Sequence, residues 1–233
     1  MNRADAAQAH HKKVLEQDFR DLEYSVGSSI IYDPFEITVS VKDTDCVSAA
    51  IDIQNEGVDE TCMTILNFAS FNNPGGGYLT GAWAQEESLC AESDLYEILS
   101  SKKFEEYYVY NRKHINKGLY EDRAIFTPDV KFRRGDRTLY CNVLTCAAPN
   151  YNNAIANKVP HNVIVATYKR RLQFIYRILN KELQQVLIAG AWGCGVFGFP
   201  RDLSENLFRE TATVDTVLAI PSSPNFKPRR SIC

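Results

Sequence analysis

Two adjacent glutamates, Glu86 and Glu87, follow a run of three glycines at residues 75–77. The glycines come after an apolar run at 62–68, which predicts a buried strand, and an amphipathic pattern that predicts a helix begins at Gln85. Glycine has no Cβ atom, so the main-chain N–H groups of such a turn can approach a ligand closely. Two carboxyl groups beside the turn can exchange protons with that ligand as general acid and base. The combination predicts an active site.

Three asparagines, Asn67, Asn72 and Asn73, lie at the end of the predicted strand and in the turn that follows it. Their amide groups both donate and accept hydrogen bonds, as a ligand rich in hydroxyl groups requires. A purely structural explanation stays open. Glycine-rich turns often follow strands, and paired glutamates in a first helical turn are favoured by the helix dipole alone.

A second glycine-rich stretch follows a short apolar run at 186–189 and contains Gly193, Gly195 and Gly198. Its glycines leave successive N–H groups free to converge on an anion without the help of a lysine. The stretch is not a P-loop, because no Gly-Lys-Ser/Thr follows. We expect it to hold a diphosphate, with a tight strand-to-helix turn as the structural alternative. Cys194 has no identifiable histidine partner, so we interpret it as structural and not as a nucleophile.

The composition is that of an ordinary globular protein, with 233 residues of which 45% are hydrophobic and 24% charged. This suits one α/β domain over residues 1–233. The net charge of −3 gives no general attraction for nucleic acid or for an anionic membrane, and we expect neither as a partner. No apolar stretch approaches the roughly 18 residues that span a bilayer, and the N-terminus lacks the apolar core of a signal peptide.

The cysteine count is seven, with no Cys-x-x-Cys pair, and the four histidines show no zinc-ligand spacing. We therefore expect neither a metal nor a cofactor. Reduced, mostly buried thiols indicate an intracellular, soluble protein. The expected location is the cytoplasm, or the nucleus if the source is eukaryotic.

Helical and strand patterns alternate along the chain, which predicts an α/β fold with three layers and a mixed sheet. An accessory helix is expected at 4–24 and a frayed tail at 227–233. Asp43 and Thr44 are candidate caps of the helix that follows them, and residues 102–120 are interpreted as a helix with a solvated face. Helices are further expected at 85–100, 162–181 and 203–210, strands at 30–32, 37–41, 62–68, 124–127, 139–147, 186–189 and 214–220, and loops at 128–137 and 148–160.

The strand at 186–189 is wholly apolar, so we expect it to be central and parallel. Both glycine-rich loops leave the carboxyl ends of strands, where ligands of α/β sheets bind. If the two strands are neighbours, the two loops face one crevice. This placement is the geometric prediction on which a functional interpretation depends.

The residues also carry a family resemblance. The glycine triplet followed by Gln-Glu-Glu at 85–87 resembles the signature of poly(ADP-ribose) glycohydrolases, whose catalytic domain is a macrodomain. The run 67–70 leading to Pro74 is similar to the smaller, bacterial-type branch, and the stretch 190–198 resembles the family's diphosphate-binding loop. The resemblance covers the chain from about residue 18 to 226. It implies a macrodomain-like fold whose sheet has helices on both faces.

The resemblance implies hydrolysis of the ribose–ribose O-glycosidic bond of poly(ADP-ribose), with release of ADP-ribose. Glu87 would protonate the leaving oxygen as the general acid and then serve as the base for water, while Glu86, aided by Gln85, would hold ribose hydroxyls. Phe197 would pack on the adjacent ribose or adenine. Substrate contacts are further implied for Asn67, Asn73, Gly75, Gly76, Gly77, Gly193, Cys194, Gly195, Val196 and Gly198.

Two alternatives to this activity stay open: a macrodomain that binds ADP-ribose without cleaving it, and a hydrolase of mono-ADP-ribosyl groups. The glutamate pair disfavours the first, because a binding module has no use for a general acid. The expected ligands are poly(ADP-ribose) or ADP-ribose, with ADP-ribosylated proteins as substrates. The chain departs from bacterial-type relatives at Phe199, where they usually have asparagine. The candidates for selecting adenine are Asn225 and Phe226.

Overall fold

The structure is a computed structural model that describes residues 36–222. Within that range, one mixed sheet of six strands has the order β1-β6-β5-β2-β4-β3, and only β3, paired with β4, is antiparallel to its neighbour. The strands are β1 Val39–Lys42, β2 Met63–Phe68, β3 Ile125–Arg134, β4 Arg137–Cys146, β5 Val186–Ala189 and β6 Asp215–Ala219.

Seven α-helices connect the strands in the same part of the chain. They are α1 Cys46–Asn55, α2 Gln85–Ala91, α3 Leu95–Leu99, α4 Glu105–Lys113, α5 Tyr151–Ala156, α6 His161–Lys181 and α7 Arg201–Thr211. Single 3₁₀ turns occur at Glu60–Cys62, Tyr78–Thr80, Lys102–Phe104 and Asn116–Gly118.

The sheet has a hydrophobic core on each face. Successive side chains of a strand point to opposite faces, and β5 shows the consequence: Val186 and Ile188 pack with α1 to α4, whereas Leu187 and Ala189 pack with α5 to α7. β2 lies between β5 and β4, and all but the last of its residues are buried. The three-layer α/β architecture with a mixed sheet is therefore confirmed, and so is the central, parallel position of β5.

The predicted helix at 85–100 is interrupted. Residues 92–94 leave the helical path because their backbone pairs with the edge strand β3: the N–H of Arg133 donates to the carbonyl of Glu92 at 2.7 Å, and the N–H of Asp94 donates to the carbonyl of Lys131 at 3.3 Å. The apolar period continues across the break, which is why the sequence pattern indicates one helix.

Two predicted loops are regular structure. Most of residues 128–137 form β3 and the start of β4, joined at Gly135, whose φ of +59° suits a tight hairpin turn. Pro128 and the charges of this edge strand weaken its strand signal. Within 148–160, the side chain of Asn150 accepts the N–H of Asn153 and caps the short helix α5.

Two predictions about α1 and α4, which pack on the same face of the sheet, are also corrected. The cap of α1 is Asp45, not Asp43 or Thr44, since one carboxylate oxygen of Asp45 accepts the N–H groups of Val47 and Ser48. The segment 102–120 is not simply a solvated helical face, because the α4 residues Tyr107, Tyr108 and Asn111 are buried in the domain.

The expected helix at 4–24, the strand at 30–32, the tail at 227–233 and the adenine candidates Asn225 and Phe226 lie outside the described residues. None of the helices between residues 36 and 222 has the length and apolar character needed to cross a bilayer.

Candidate active site

Gln85 ties the first turn of α2 to the end of β2. Its side-chain oxygen accepts the N–H of Phe68 at 2.8 Å, and its amide nitrogen donates to the carbonyl of Leu66 at 2.8 Å. The amide therefore satisfies the strand backbone as a neighbouring strand would. As a result, the two glutamates that follow Gln85 are held beyond the carboxyl end of a central strand.

Glu86 is 3% exposed, and both of its carboxylate oxygens accept hydrogen bonds. One takes the side-chain amide of Asn67 at 3.1 Å, and the other takes the N–H of Ser70 at 2.6 Å. Burial raises the pKa of Glu86 to about 7, against the opposing effect of these hydrogen bonds and with a smaller contribution from the charge of Glu87. Glu86 is therefore an acidic group that titrates near neutral pH.

Glu87 is 7% exposed and is held from both ends of the turn that precedes α2. Its two carboxylate oxygens accept the N–H of Gly77 at 2.9 Å and the N–H of Ala84 at 3.0 Å. The hydrogen bond from Ala84 also gives an acceptor to an N–H at the start of α2, which has no partner within the helix. The carboxyl group is thereby fixed in one orientation.

The glycine triplet leaves room for these carboxyl groups. A Cβ atom on Gly76 would lie 2.4 Å from a carboxylate oxygen of Glu87 and 3.0 Å from one of Glu86, and the φ of Gly76 is +59°. A Cβ atom on Gly75 would lie 2.6 Å from the ring of Tyr96. The triplet is therefore required for close packing behind the glutamates.

A cleft of about 580 Å³ lies over the carboxyl ends of the central strands. The glutamates line it on one side and the second glycine-rich loop lines it on the other, so the two loops predicted to share a crevice do so. Of the predicted residues, those lining the cleft are Gln85, Glu86, Glu87, Gly193, Gly195, Val196 and Phe197.

The second loop offers free donors to this cleft. The N–H groups of Gly193, Gly195, Val196 and Phe197 donate to no acceptor within residues 36–222. The loop is nevertheless held in shape, since the N–H of Phe199 donates to the carbonyl of Gly193 at 2.9 Å. Free N–H groups on a loop that lines a cleft are the donors that an anion such as a diphosphate requires.

The remaining predicted residues lie behind or beside the cleft. The side chain of Asn67 is buried against Glu86 and Thr145, and Asn73 is exposed in the turn after β2. A Cβ atom on Gly198 would collide with the side chain of Asn152, so this glycine serves packing. The glycines Gly75, Gly76 and Gly77 support the carboxyl groups from behind.

Cys194 and Phe199 both turn toward the protein. The thiol of Cys194 donates to the carbonyl of Trp192 at 3.5 Å, and burial raises its pKa to about 11, so it stays protonated at neutral pH. Phe199 is buried and stacks on Tyr168 with ring centroids 3.9 Å apart. Between residues 36 and 222, no group of three or more His, Cys, Asp or Glu side chains is placed to hold a metal ion.

Three contributors to the site were missed by sequence reasoning. Ser70 and Ala84 act through their backbone N–H groups, for which residue type carries no signal. Trp83 also lines the cleft. Its position among the small residues Gly81, Ala82 and Ala84, just before the glutamates, was the available clue, because an indole there has no evident structural use.

The profile of the microbial-type PARG (poly(ADP-ribose) glycohydrolase) catalytic domain matches residues 4–135, more than half of the chain. The chain belongs to this family. A search of curated protein sequences returns no match. This glycohydrolase has the family's macrodomain-like α/β fold.

Solved structures of poly(ADP-ribose) glycohydrolases from two bacteria are similar to this chain. The enzyme from Deinococcus radiodurans in complex with ADP-ribose is 34% identical, with 80% of this chain and 78% of that chain covered and a TM-score of 0.70. The enzyme from Thermomonospora curvata bound to the inhibitor ADP-HPD is 28% identical, with coverages of 83% and 76% and a TM-score of 0.73.

Proposed function

We propose that this glycohydrolase cleaves the ribose–ribose O-glycosidic bond of poly(ADP-ribose) and releases ADP-ribose, with Glu87 as the general acid and base. One observation carries the proposal: buried carboxyl groups line one side of a cleft, and the loop that lines the other side has four backbone N–H groups without an acceptor in residues 36–222. A sugar with a reactive glycosidic bond needs the first feature, and a diphosphate needs the second. The bacterial relative crystallised with ADP-ribose supports this choice of ligand.

The ligand is oriented by the two sides of the cleft. The N–H groups of Gly193, Gly195, Val196 and Phe197 take the diphosphate, and the ring of Phe197 packs on the sugar or base next to it. The terminal ribose then lies over α2. Glu86 accepts hydrogen bonds from its hydroxyl groups, and Asn67 keeps Glu86 in place from behind.

Glu87 acts twice in the reaction. It first donates its proton to the oxygen that links the two riboses, the C–O bond breaks with its electron pair on that oxygen, and the shortened polymer leaves with a hydroxyl group. The anomeric carbon is then an oxocarbenium-like centre. Water attacks this carbon and gives a proton to Glu87, which restores the acid for the next cycle.

Two substrates separate this function from its alternatives. Incubation with poly(ADP-ribose) should shorten the polymer and release ADP-ribose. Binding of ADP-ribose with intact polymer would make the protein a binding module. Release of ADP-ribose only from a mono-ADP-ribosylated protein would instead assign it to mono-ADP-ribosyl hydrolysis, and either result would overturn the proposal.

A further inference from the structure

Trp83 lines the cleft and is 48% exposed. No aromatic ring within residues 36–222 stacks on the indole, and the indole N–H donates to no acceptor there. The other tryptophan of the chain, Trp192, is fully buried and donates its N–H to the carbonyl of Cys146 at 3.1 Å. Within residues 36–222, Trp83 thus lacks the ring stacking and the indole hydrogen bond of Trp192, and the half of its surface that meets water gains nothing for stability.

The turn that carries Trp83 is held tightly. The N–H of Ala82 donates to the carbonyl of Gly77 at 3.1 Å, which closes the turn, and the N–H of Gly81 donates to the carbonyl of Tyr78 at 3.2 Å. The nitrogen of Ala84, which is bonded to the carbonyl carbon of Trp83, lies 3.0 Å from a carboxylate oxygen of Glu87. The indole therefore stands on a fixed backbone directly beside the catalytic carboxyl group.

The direction of the substrate determines what lies near Trp83. With the diphosphate of the released unit on the loop of Gly193 and its terminal ribose over Glu86, the bond to be cut is at Glu87. The polymer on the far side of that bond must leave the cleft from this end. Its first sugar is the ribose of an adenosine, so an adenine base lies one sugar away from the broken bond.

We propose that Trp83 is a specificity-determining residue, on which the adenine of the leaving unit stacks. The inference rests on the proposed function and adds a second subsite to it. Stacking of a base on an aromatic side chain accounts for roughly tenfold or more in affinity. A single ADP-ribose has no leaving unit, so it has no second adenine to place on this platform.

Binding to the inactive variant Glu87→Gln tests the subsite without turnover. We expect the dimer of ADP-ribose to bind about tenfold tighter than ADP-ribose itself and to quench the emission of Trp83, with little quenching by the monomer. Adding Trp83→Ala should remove the advantage of the dimer and lower the affinity for ADP-ribose much less than the affinity for the dimer. Trp83→Phe should retain most of the advantage, because a ring remains.

Leu79→Ala is the matched control, because Leu79 lies on the same turn, is 73% exposed and does not line the cleft. Its affinities should equal those of the parent. The proposal is overturned if Trp83→Ala binds the dimer as tightly as the parent, or if it weakens both ligands equally. If the unmodified enzyme left the polymer intact, the proposed function would be refuted. Binding of the dimer to the variants would still show whether Trp83 forms the second subsite.

Discussion

At the scale of single residues, the carboxyl group of Glu86 is buried and accepts hydrogen bonds from Asn67 and Ser70. Its burial raises its pKa. Its pKa is about 7 in the folded protein and near 4.5 when exposed. The folded state therefore binds more protons between these values, and the free energy of unfolding falls as pH rises from about 4.5 to about 7. The loss is on the order of 3 kcal/mol.

The variant Glu86→Gln isolates this effect. Its side chain places an amide nitrogen opposite one of the two donors, so we expect a lower stability at every pH. The loss specific to Glu86 between pH 5 and pH 8 should nevertheless disappear. Urea unfolding of both proteins at the two pH values measures the difference, and equal pH dependence in the two proteins would contradict a raised pKa at Glu86.

Gly76 gives a second residue-scale prediction. Gly76→Ala should lose about 1 kcal/mol of stability from its left-handed backbone and should also lose most activity. The activity falls because the new Cβ atom displaces the carboxyl groups of Glu87 and Glu86. Gly135→Ala is the matched control, since Gly135 has the same φ of +59° but no atom of residues 36–222 within 4 Å of a Cβ.

The control should show the loss of stability with normal turnover. Urea unfolding and polymer hydrolysis are measured on both variants. If Gly76→Ala were as active as Gly135→Ala, the triplet would not be packing the catalytic carboxyl groups.

At the scale of elements, the segment 102–120 braces the turn after β2. The buried side chain of Asn111 in α4 donates to the carbonyl of Phe71 at 3.0 Å, and Arg112 donates to the carbonyl of Asn72 at 2.9 Å. Tyr120 stacks on Phe71 with centroids 3.9 Å apart and meets Phe197 edge-on at 6.2 Å. The segment thus connects the turn that holds Glu86 with the loop across the cleft.

We expect Asn111→Ala to lower stability by about 1–3 kcal/mol, because the carbonyl of Phe71 is left buried without a donor. It should also lower the rate of hydrolysis, since Ser70, which donates to Glu86, lies on the same turn. Arg112→Ala is the comparison: its bond is exposed, so its effect should stay within about 0.5 kcal/mol. Thermal unfolding and hydrolysis rates are measured on both variants. If Arg112→Ala lowered stability more than Asn111→Ala, the proposal that Asn111 braces the turn would be refuted.

Elements with strong periodicity could be predicted from the sequence, and elements defined by pairing could not. The length of α6 and the apolar run of β5 carry their own signal. The break between α2 and α3 depends on backbone bonds of residues 92–94 to β3, whose own strand signal is weakened by Pro128 and by charges. The role of 102–120 depends on side-chain contacts with a distant turn, which no local pattern records.

At the scale of the whole molecule, the active site follows from sheet order. β2 and β5 are parallel neighbours, so the turn after β2 and the loop after β5 leave the same edge of the sheet and face one cleft. The glutamates and glycines of the site could be predicted from their residue types and spacing. The backbone donors of Ser70 and Ala84 and the role of Trp83 could be identified only from the folded structure.

The most direct test of the account measures ADP-ribose release from poly(ADP-ribose) by Glu87→Gln. Removal of the proton donor should lower kcat by about a hundredfold or more, with the affinity for ADP-ribose within a few-fold of the unmodified enzyme. Glu97→Gln, a change at an exposed glutamate of α3, should retain normal turnover. Hydrolysis by Glu87→Gln at the normal rate would contradict Glu87 as the acid and base.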